Sequence, residues 1–238
     1  MQRCMSHVDL EIEALLSTLF QAHPWHGVAA ESARPGVFNA YIELVPTDTV
    51  KYELDKRLGH LRLDRPQRFS SLCPTLYGFI PRTYCGKAVA ARCAERAQVP
   101  EIEGDGDPID VCILSEKATA HGDFLACVRP IGGMRMIDGT EADDKIIGVL
   151  ESDIAFGHMH DISECPKGII ERLHHYFLSY KQQPGSPTDH VRIAEIYGRD
   201  EALHVIGLSQ QDYHAEFGAA DVRIRGLRRL LTTAVSEA

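Results

Sequence analysis

The stretch EGDGDPIDVCILSEK, residues 103–117, changes character in its middle. Its first half sets Asp105, Asp107 and Asp110 close together, with Gly106 and Pro108 between them, which is turn chemistry. Its second half, IDVCIL, is a short apolar run bounded by turn residues, which reads as a buried strand. Carboxylates packed this tightly repel one another. Either a cation compensates them or the turn is a solvated acidic loop. A calcium loop of the EF-hand kind does not fit, because that geometry asks for an acid and then a glycine where this chain has Ile109 and Asp110.

Working outward, FNAYIELVP, VKYELDKRLGHLRLDRP and LYGFIPRTY precede the acidic turn as strand-like runs. In the second of these, VKYELD pairs with HLRLDR as a hairpin. PIDVCIL, DFLACVRPIGGMRMID and DKIIGVLE follow as three more strands separated by Gly-containing turns. Helical spacing returns in CPKGIIERLHHYFLSYKQQ, where Ile169, Ile170, Leu173, Tyr176, Phe177 and Tyr180 share a face. A Pro-Gly-Ser-Pro break at residues 184–187 ends that helix, and residues 199–238 read as helical in parts. At the N-terminus Leu10, Ile12, Leu15, Leu16, Leu19 and Phe20 recur at helical spacing, which predicts a docking helix. Strands first and helices last make an α+β fold around a compact, largely antiparallel barrel. We read one domain over residues 37–238, preceded by a helical extension, residues 1–36. Residues 85–104, CGKAVAARCAERAQVPEIEG, read as a surface insertion with helical propensity.

The formal net charge of -9 argues against a general nucleic-acid binder, which needs cationic surface to displace phosphate counterions. The seven cysteines are scattered and include no C-x-x-C pair, so neither a zinc ribbon nor a disulfide framework is expected. The N-terminal run LEIEALLSTLF is interrupted by glutamates, is too short to span a bilayer, and has no basic leader before it. The expectation is a soluble cytoplasmic protein with reduced thiols and no membrane or nucleic-acid partner.

A second acidic stretch, MIDGTEADDKIIG, carries Asp138, Glu141, Asp143, Asp144 and Lys145 where one strand hands over to the next. Two acidic turns on one strand system can face a common cleft. Hard oxygen ligands of this kind suit Mg²⁺ or Mn²⁺ rather than zinc. Cationic residues lie nearby in sequence: Lys51, Lys56 and Arg57 beside Glu53, then Arg62, Arg65 and Arg68. Acid pairs together with such cations point to a phosphate held between metal ions and ammonium or guanidinium groups. His158, His160 and Asp161 in HMHDISE read as a surface turn, and Arg223, Arg225, Arg228 and Arg229 as the outer face of a basic helix.

The segments YIELVP, KYELDK, LDR, LYGFIP, DGDPIDV, MIDGTEADDK and YK occur, over residues 39–197, in the order and spacing of the soluble family I inorganic pyrophosphatases, which the chain resembles. The resemblance implies a five-stranded OB-type barrel with helices packed outside it, and Mg²⁺-dependent hydrolysis of pyrophosphate to two phosphates. Carried over by position, it implies Asp105, Asp110, Asp138 and Asp143 as the principal metal ligands, with Glu43 at a further metal site. Asp107 resembles the general base toward the attacking water. Lys51, Arg65, Tyr77, Lys145, Tyr180 and Lys181 match phosphate-binding positions, and Glu53 another acid lining the cavity. Members of the family assemble as homo-oligomers, so a hexamer is expected ahead of a dimer. One departure is Cys73, in SSLCPTLYGF, where many members carry a tyrosine. A thiol is a weak donor, so a tuned rate or metal affinity is expected there.

Overall fold

The computed structural model of the chain describes residues 21–68, 70–182, 191–218, 226, 227 and 229. The expected N-terminal helix over residues 9–20, the break at residues 184–187, and Arg223, Arg225 and Arg228 of the basic tail lie outside the described residues. Among the described residues the order is β1 (Phe38–Leu44), β2 (Val50–Leu54), β3 (Leu61–Pro66), β4 (Leu76–Phe79), α1 (Lys87–Ala97), β5 (Glu103–Gly104), β6 (Asp110–Leu114), β7 (Phe124–Asp138), β8 (Glu141–Ala142), β9 (Lys145–Leu150), α2 (Lys167–Ser179), β10 (Val191–Gly198) and α3 (Arg199–Phe217).

Strands β2 and β3 form the expected hairpin and pair only with each other. The remaining strands make a mixed eight-stranded sheet. β1 pairs antiparallel with β4 on one side and with the first part of β7 on the other. Hydrogen-bonded neighbours therefore run β1, β4, β6, β9, β7 and back to β1. Most pairs are antiparallel, but β6 with β9 and β5 with β8 are parallel.

The order of elements corrects the sequence reading at two places. Helices do not simply follow strands, because α1 falls between β4 and β5, and β10 follows α2. β10 escaped notice because its alternation is broken: pairing with β7 shifts register between Ile193 and Glu195. A shift of that kind puts the two-residue period out of phase.

Residues 85–104 are likewise not a surface segment. Val89, Ala90 and Cys93 of α1 are buried against the sheet and α3. Gly86 lacks a side chain to cap α1, so Asp212, on α3, does it: its carboxylate accepts from the amides of Gly86 (3.1 Å), Ala88 (2.9 Å) and Val89 (3.0 Å). The amides of Ala88 and Val89 at the helix start are thereby satisfied by a residue far away in sequence, while that of Gly86 is shared with the Tyr84 carbonyl at 3.1 Å. Beyond α1, Gly104 lies so close to the main chain that a Cβ there would fall 2.1 Å from the Cys85 carbonyl oxygen. Only glycine permits this approach, which docks the start of the acidic turn onto the entry to α1.

The core shows why β6 and β9 read as unbroken apolar runs. Val111, Ile113 and Ile146 face one buried cluster, which α1 and α3 cover, while Cys112, Leu114, Ile147 and Val149 face another, covered by Leu173 and Phe177 of α2. Strand side chains alternate, so two covered faces leave no polar face in the sequence. Arg135 on β7 is fully buried. Its guanidinium donates to Glu195 on β10 and to Glu201 on α3, both at 2.5 Å, and lies 4.9 Å from the Tyr197 ring centroid. Glu201 also accepts from Arg92 of α1 at 2.6 Å. One arginine thus joins sheet and helices.

Two expectations follow for stability. Asp212→Ala strands the amides of Ala88 and Val89 at the start of α1 and lowers stability by about 1–3 kcal/mol, read by urea denaturation. For Glu201, burial alone would raise the carboxyl, but the hydrogen bonds from Arg92 and Arg135 outweigh it and hold the group at about 2. A depressed carboxyl contributes stability that is complete above its usual range near 4.5 and is lost as pH falls from there toward 2. Glu201→Gln therefore removes a slope worth about 2 kcal/mol, after allowance for solvent screening, between those limits. Denaturation at pH 7 and pH 3 compares it with wild type.

Candidate active site

Parallel pairing of β6 with β9 sets Asp110 directly opposite Lys145. Lys145 is only 2% exposed, and its ammonium reaches the carboxylates of both Asp110 and Asp143. Tyr77, on β4, donates its hydroxyl to Asp110 Oδ2 at 2.6 Å. The turn before β6 is held from both ends: Cys85 N donates to the Asp107 carbonyl at 2.7 Å, and Ile109 N to Thr83 Oγ1 at 2.9 Å. Inside the turn, Asp107 N donates to Asp105 Oδ1 at 2.9 Å.

The second acidic stretch closes the opposite wall. Asp138 ends β7 and pairs with Lys181, just past α2. Tyr180 stacks on Tyr176, with centroids 5.2 Å apart. Glu43 on β1 is buried and accepts from Leu54 N at 2.7 Å, which ties the β2–β3 hairpin to the sheet. On that hairpin Lys51 pairs with Glu53.

These walls enclose a cleft of about 270 Å³. Asp105, Asp107, Asp110, Asp138, Asp143 and Glu43 line it, as do Lys51, Tyr77, Lys145, Tyr180, Lys181 and Glu53. Arg65 does not: it stands opposite Lys51 on β3, with Nε 3.6 Å from Asp64. Lys56, Glu141 and Trp25 also line the cleft; the sequence had placed Lys56 and Glu141 in its cationic and acidic stretches without a specific role, and Trp25 nowhere near it. Lys56 and Glu141 sit inside motifs already quoted, so proximity in sequence could have found them. Trp25 could not have been found that way, because its turn-rich segment carries no periodic signal.

The charges are unevenly matched. Burial pushes the Glu43 carboxyl up to about 8, with Asp110 and Glu53 adding to the shift. Burial and then Asp143 raise Asp105 in the same direction. For Lys145, burial disfavours the charged form, but Asp110 and Asp143 outweigh it and hold the ammonium well above its usual range. Burial, then Asp110, raises the Tyr77 phenol, so it stays a hydrogen-bond donor at neutral pH.

Among the described residues no three Asp, Glu, His or Cys side chains converge as a ready ligand set, and lysine ammoniums occupy Asp107, Asp110, Asp138 and Asp143. The donor chemistry nevertheless fits a hard divalent cation. The acids offer oxygen alone, and Glu43, which is buried, and Asp105, which is half-buried, are carboxyls that the chain leaves short of positive charge. Entry of a cation requires lysines to yield oxygens they now hold.

The other clusters resolve into structure. Cys73 is buried, and burial pushes its thiol up to about 11, so it stays protonated and is no nucleophile. His158 and His160 are exposed, and the Asp161 carboxylate is used instead to accept from Ser163 N (3.0 Å) and from Arg199 N (2.9 Å), the first residue of α3.

Comparison with known proteins agrees with this geometry. The sequence model described as inorganic pyrophosphatase matches residues 40–214. An inorganic pyrophosphatase of Chlamydia caviae is 48% identical over 200 residues, covering 82% of this chain and 92% of that protein. A soluble inorganic pyrophosphatase of Oryza sativa subsp. indica is 36% identical over 207 residues, covering 85% and 86%. The crystal structure of inorganic pyrophosphatase from Thermus thermophilus superposes with a TM-score of 0.66 at 28% identity, covering 81% of this chain and 99% of that one. On fold, cleft and sequence together, the chain belongs to the inorganic pyrophosphatase family.

Proposed function

We propose that this cleft hydrolyses inorganic pyrophosphate to two phosphates with Mg²⁺, which Mn²⁺ can replace, on a five-stranded OB-type barrel described by the circuit β1, β4, β6, β9, β7. The observation that supports this most is the interleaving of acids and lysines in so small a space, centred on Lys145 between Asp110 and Asp143. A site for a neutral or cationic substrate has no use for Lys51, Lys145 and Lys181 around one cavity. A site for an anion alone has no use for the carboxylates.

In this reading Asp105, Asp110, Asp138, Asp143 and Glu43 hold the metal ions. Bound there, a divalent cation supplies Lewis-acid neutralisation of the substrate oxygens. The chain's own groups do the rest. Lys51, Lys145 and Lys181 bind and orient the phosphates, and Tyr77 and Tyr180 add hydroxyl donors that need no reorganisation as charge develops on the leaving phosphate. Arg65 joins them only if the hairpin brings it inward from its place opposite Lys51. Asp107, on the rim of the acidic turn and 46% exposed, takes the proton of the attacking water. Glu53 steadies Lys51. Cys73 tunes rate or metal affinity from behind the cleft, beside the Tyr176 hydroxyl.

We place residues 37–238 in one domain and the protein in the cytoplasm, assembled as a homo-oligomer, a hexamer before a dimer. No helix among the described residues is long and apolar enough to cross a membrane. Leu125 and Ile154, 51% and 92% exposed, are apolar surface that assembly would cover.

The test is phosphate release from pyrophosphate with Mg²⁺, beside ATP as an alternative substrate. Release from pyrophosphate and not from ATP is expected. Asp107→Asn should lower kcat by about 10²-fold or more, and no release by the folded wild-type protein would end the proposal. Independently, Mg²⁺ at about 100 times its Kd should stabilise metal-depleted protein by about 2.7 kcal/mol in thermal melts. Asp105→Asn should lose most of that gain.

A further inference from the structure

Lys56 lies in the turn that joins β2 to β3 and lines the cleft. Its side chain is 53% exposed and its ammonium pairs with Asp107, from the opposite side of the cleft mouth. The other cleft lysines are differently placed. Lys145 is buried between two aspartates, Lys181 is committed to Asp138, and Lys51 to Glu53 beside it on the hairpin.

The main chain that carries Lys56 is held firmly. The Asp55 carboxylate accepts from Arg57 N (3.0 Å), Leu58 N (2.8 Å) and the Arg62 guanidinium (2.9 Å), which locks the turn. His23 then braces it from outside. Its Nε2 lies 3.2 Å from the Lys56 carbonyl, and a Cβ on Gly59 (φ +73°) would fall 2.8 Å from the His23 ring. The segment that carries His23 is anchored two residues on, where the buried Trp25 donates its indole N–H to the Thr83 carbonyl at 2.8 Å and accepts from Arg82 N at 2.9 Å. Thr83 also receives Ile109 N, the residue before Asp110. The hairpin turn, through His23 and Trp25, and the acidic turn are therefore both tied to Thr83, and the His23–Trp25 segment lies outside residues 40–214 on their N-terminal side.

The Lys56 ammonium meets Asp107 at Oδ1, one of two oxygens on a carboxylate that is 46% exposed. A polyanion entering the cleft competes with that oxygen for the ammonium. We propose that Lys56 is a further substrate-binding residue: its ammonium rests on Asp107 in the free protein and swings to a phosphate oxygen of bound pyrophosphate, about a backbone that His23 keeps in position. This rests on the proposed pyrophosphate hydrolysis.

Steady-state kinetics on the full chain test it, with wild type, Lys56→Met, Lys56→Arg, His23→Ala and the double variant Lys56→Met/His23→Ala. The lost charge-assisted contact should raise KM for pyrophosphate about tenfold in Lys56→Met, with kcat within about twofold of wild type. Lys56→Arg should recover most of the loss. His23→Ala should raise KM by a smaller factor and add nothing in the Lys56→Met background, because it acts through that side chain. Titration with imidodiphosphate, a diphosphate that resists hydrolysis, should show the same order of affinities in a calorimeter. A wild-type KM retained in Lys56→Met, or a fall in kcat with KM unchanged, overturns the role of Lys56. A His23→Ala effect that persists in full in the double variant overturns the bracing. A wild-type protein with no pyrophosphate hydrolysis is a different result, which removes the reading on which both depend.

Discussion

A buried ammonium between two carboxylates is the constraint on which the site depends. Lys145 could not remain charged at 2% exposure without Asp110 and Asp143, and neither acid could sit so deep without a cation. Breaking such an arrangement leaves an uncompensated buried charge, which costs about 3–5 kcal/mol. The arrangement exists because β6 and β9 pair in parallel, with Asp110 in register with Lys145. An antiparallel pairing of the same strands would set different partners opposite one another.

Strand alternation extends this constraint into the body of the protein. Asp143 and Lys145 face the cleft, so Asp144 between them faces the core. There it accepts from the Tyr197 hydroxyl at 3.0 Å and lies 3.6 Å from Arg135 Nε. Arg135 is in turn bonded to Glu195 and Glu201. The residues that would hold metal and phosphate are thus continuous, through one residue, with the network that joins β7, β10 and α3. Rigidity at the cleft is a consequence of packing behind it.

The cleft itself is assembled to be short of positive charge. Lysines neutralise Asp107, Asp110, Asp138 and Asp143 in part, while the buried Glu43 and the half-buried Asp105 form no ion pair with a lysine among the described residues. On the proposed function, divalent cations make up that shortfall and bring a polyanion with them. The net charge of -9 is then no obstacle to an anionic substrate, because local composition outweighs the total.

How much of this was legible depends on the range of the interaction involved. Local pattern determined the strands β1 to β4, β6, β7 and β9, the hairpin, the helix α2 and the residues of both acidic turns, since alternation, helical spacing and turn chemistry act over a few neighbours. The motifs also carried the family, because their order survives in one dimension. The parallel register of Asp110 with Lys145 was not legible, nor was the capping of α1 by Asp212 or the bracing of the hairpin turn by His23. β10 was lost to a bulge that breaks its period, and α1 reads as surface in the sequence because its apolar residues find their cover on the sheet and on α3, both distant in the chain. Sequence by itself determined which groups are present and most of the elements that carry them. Only the tertiary structure decided which of them meet, because such contacts join residues far apart in the chain and leave no periodic mark in either partner.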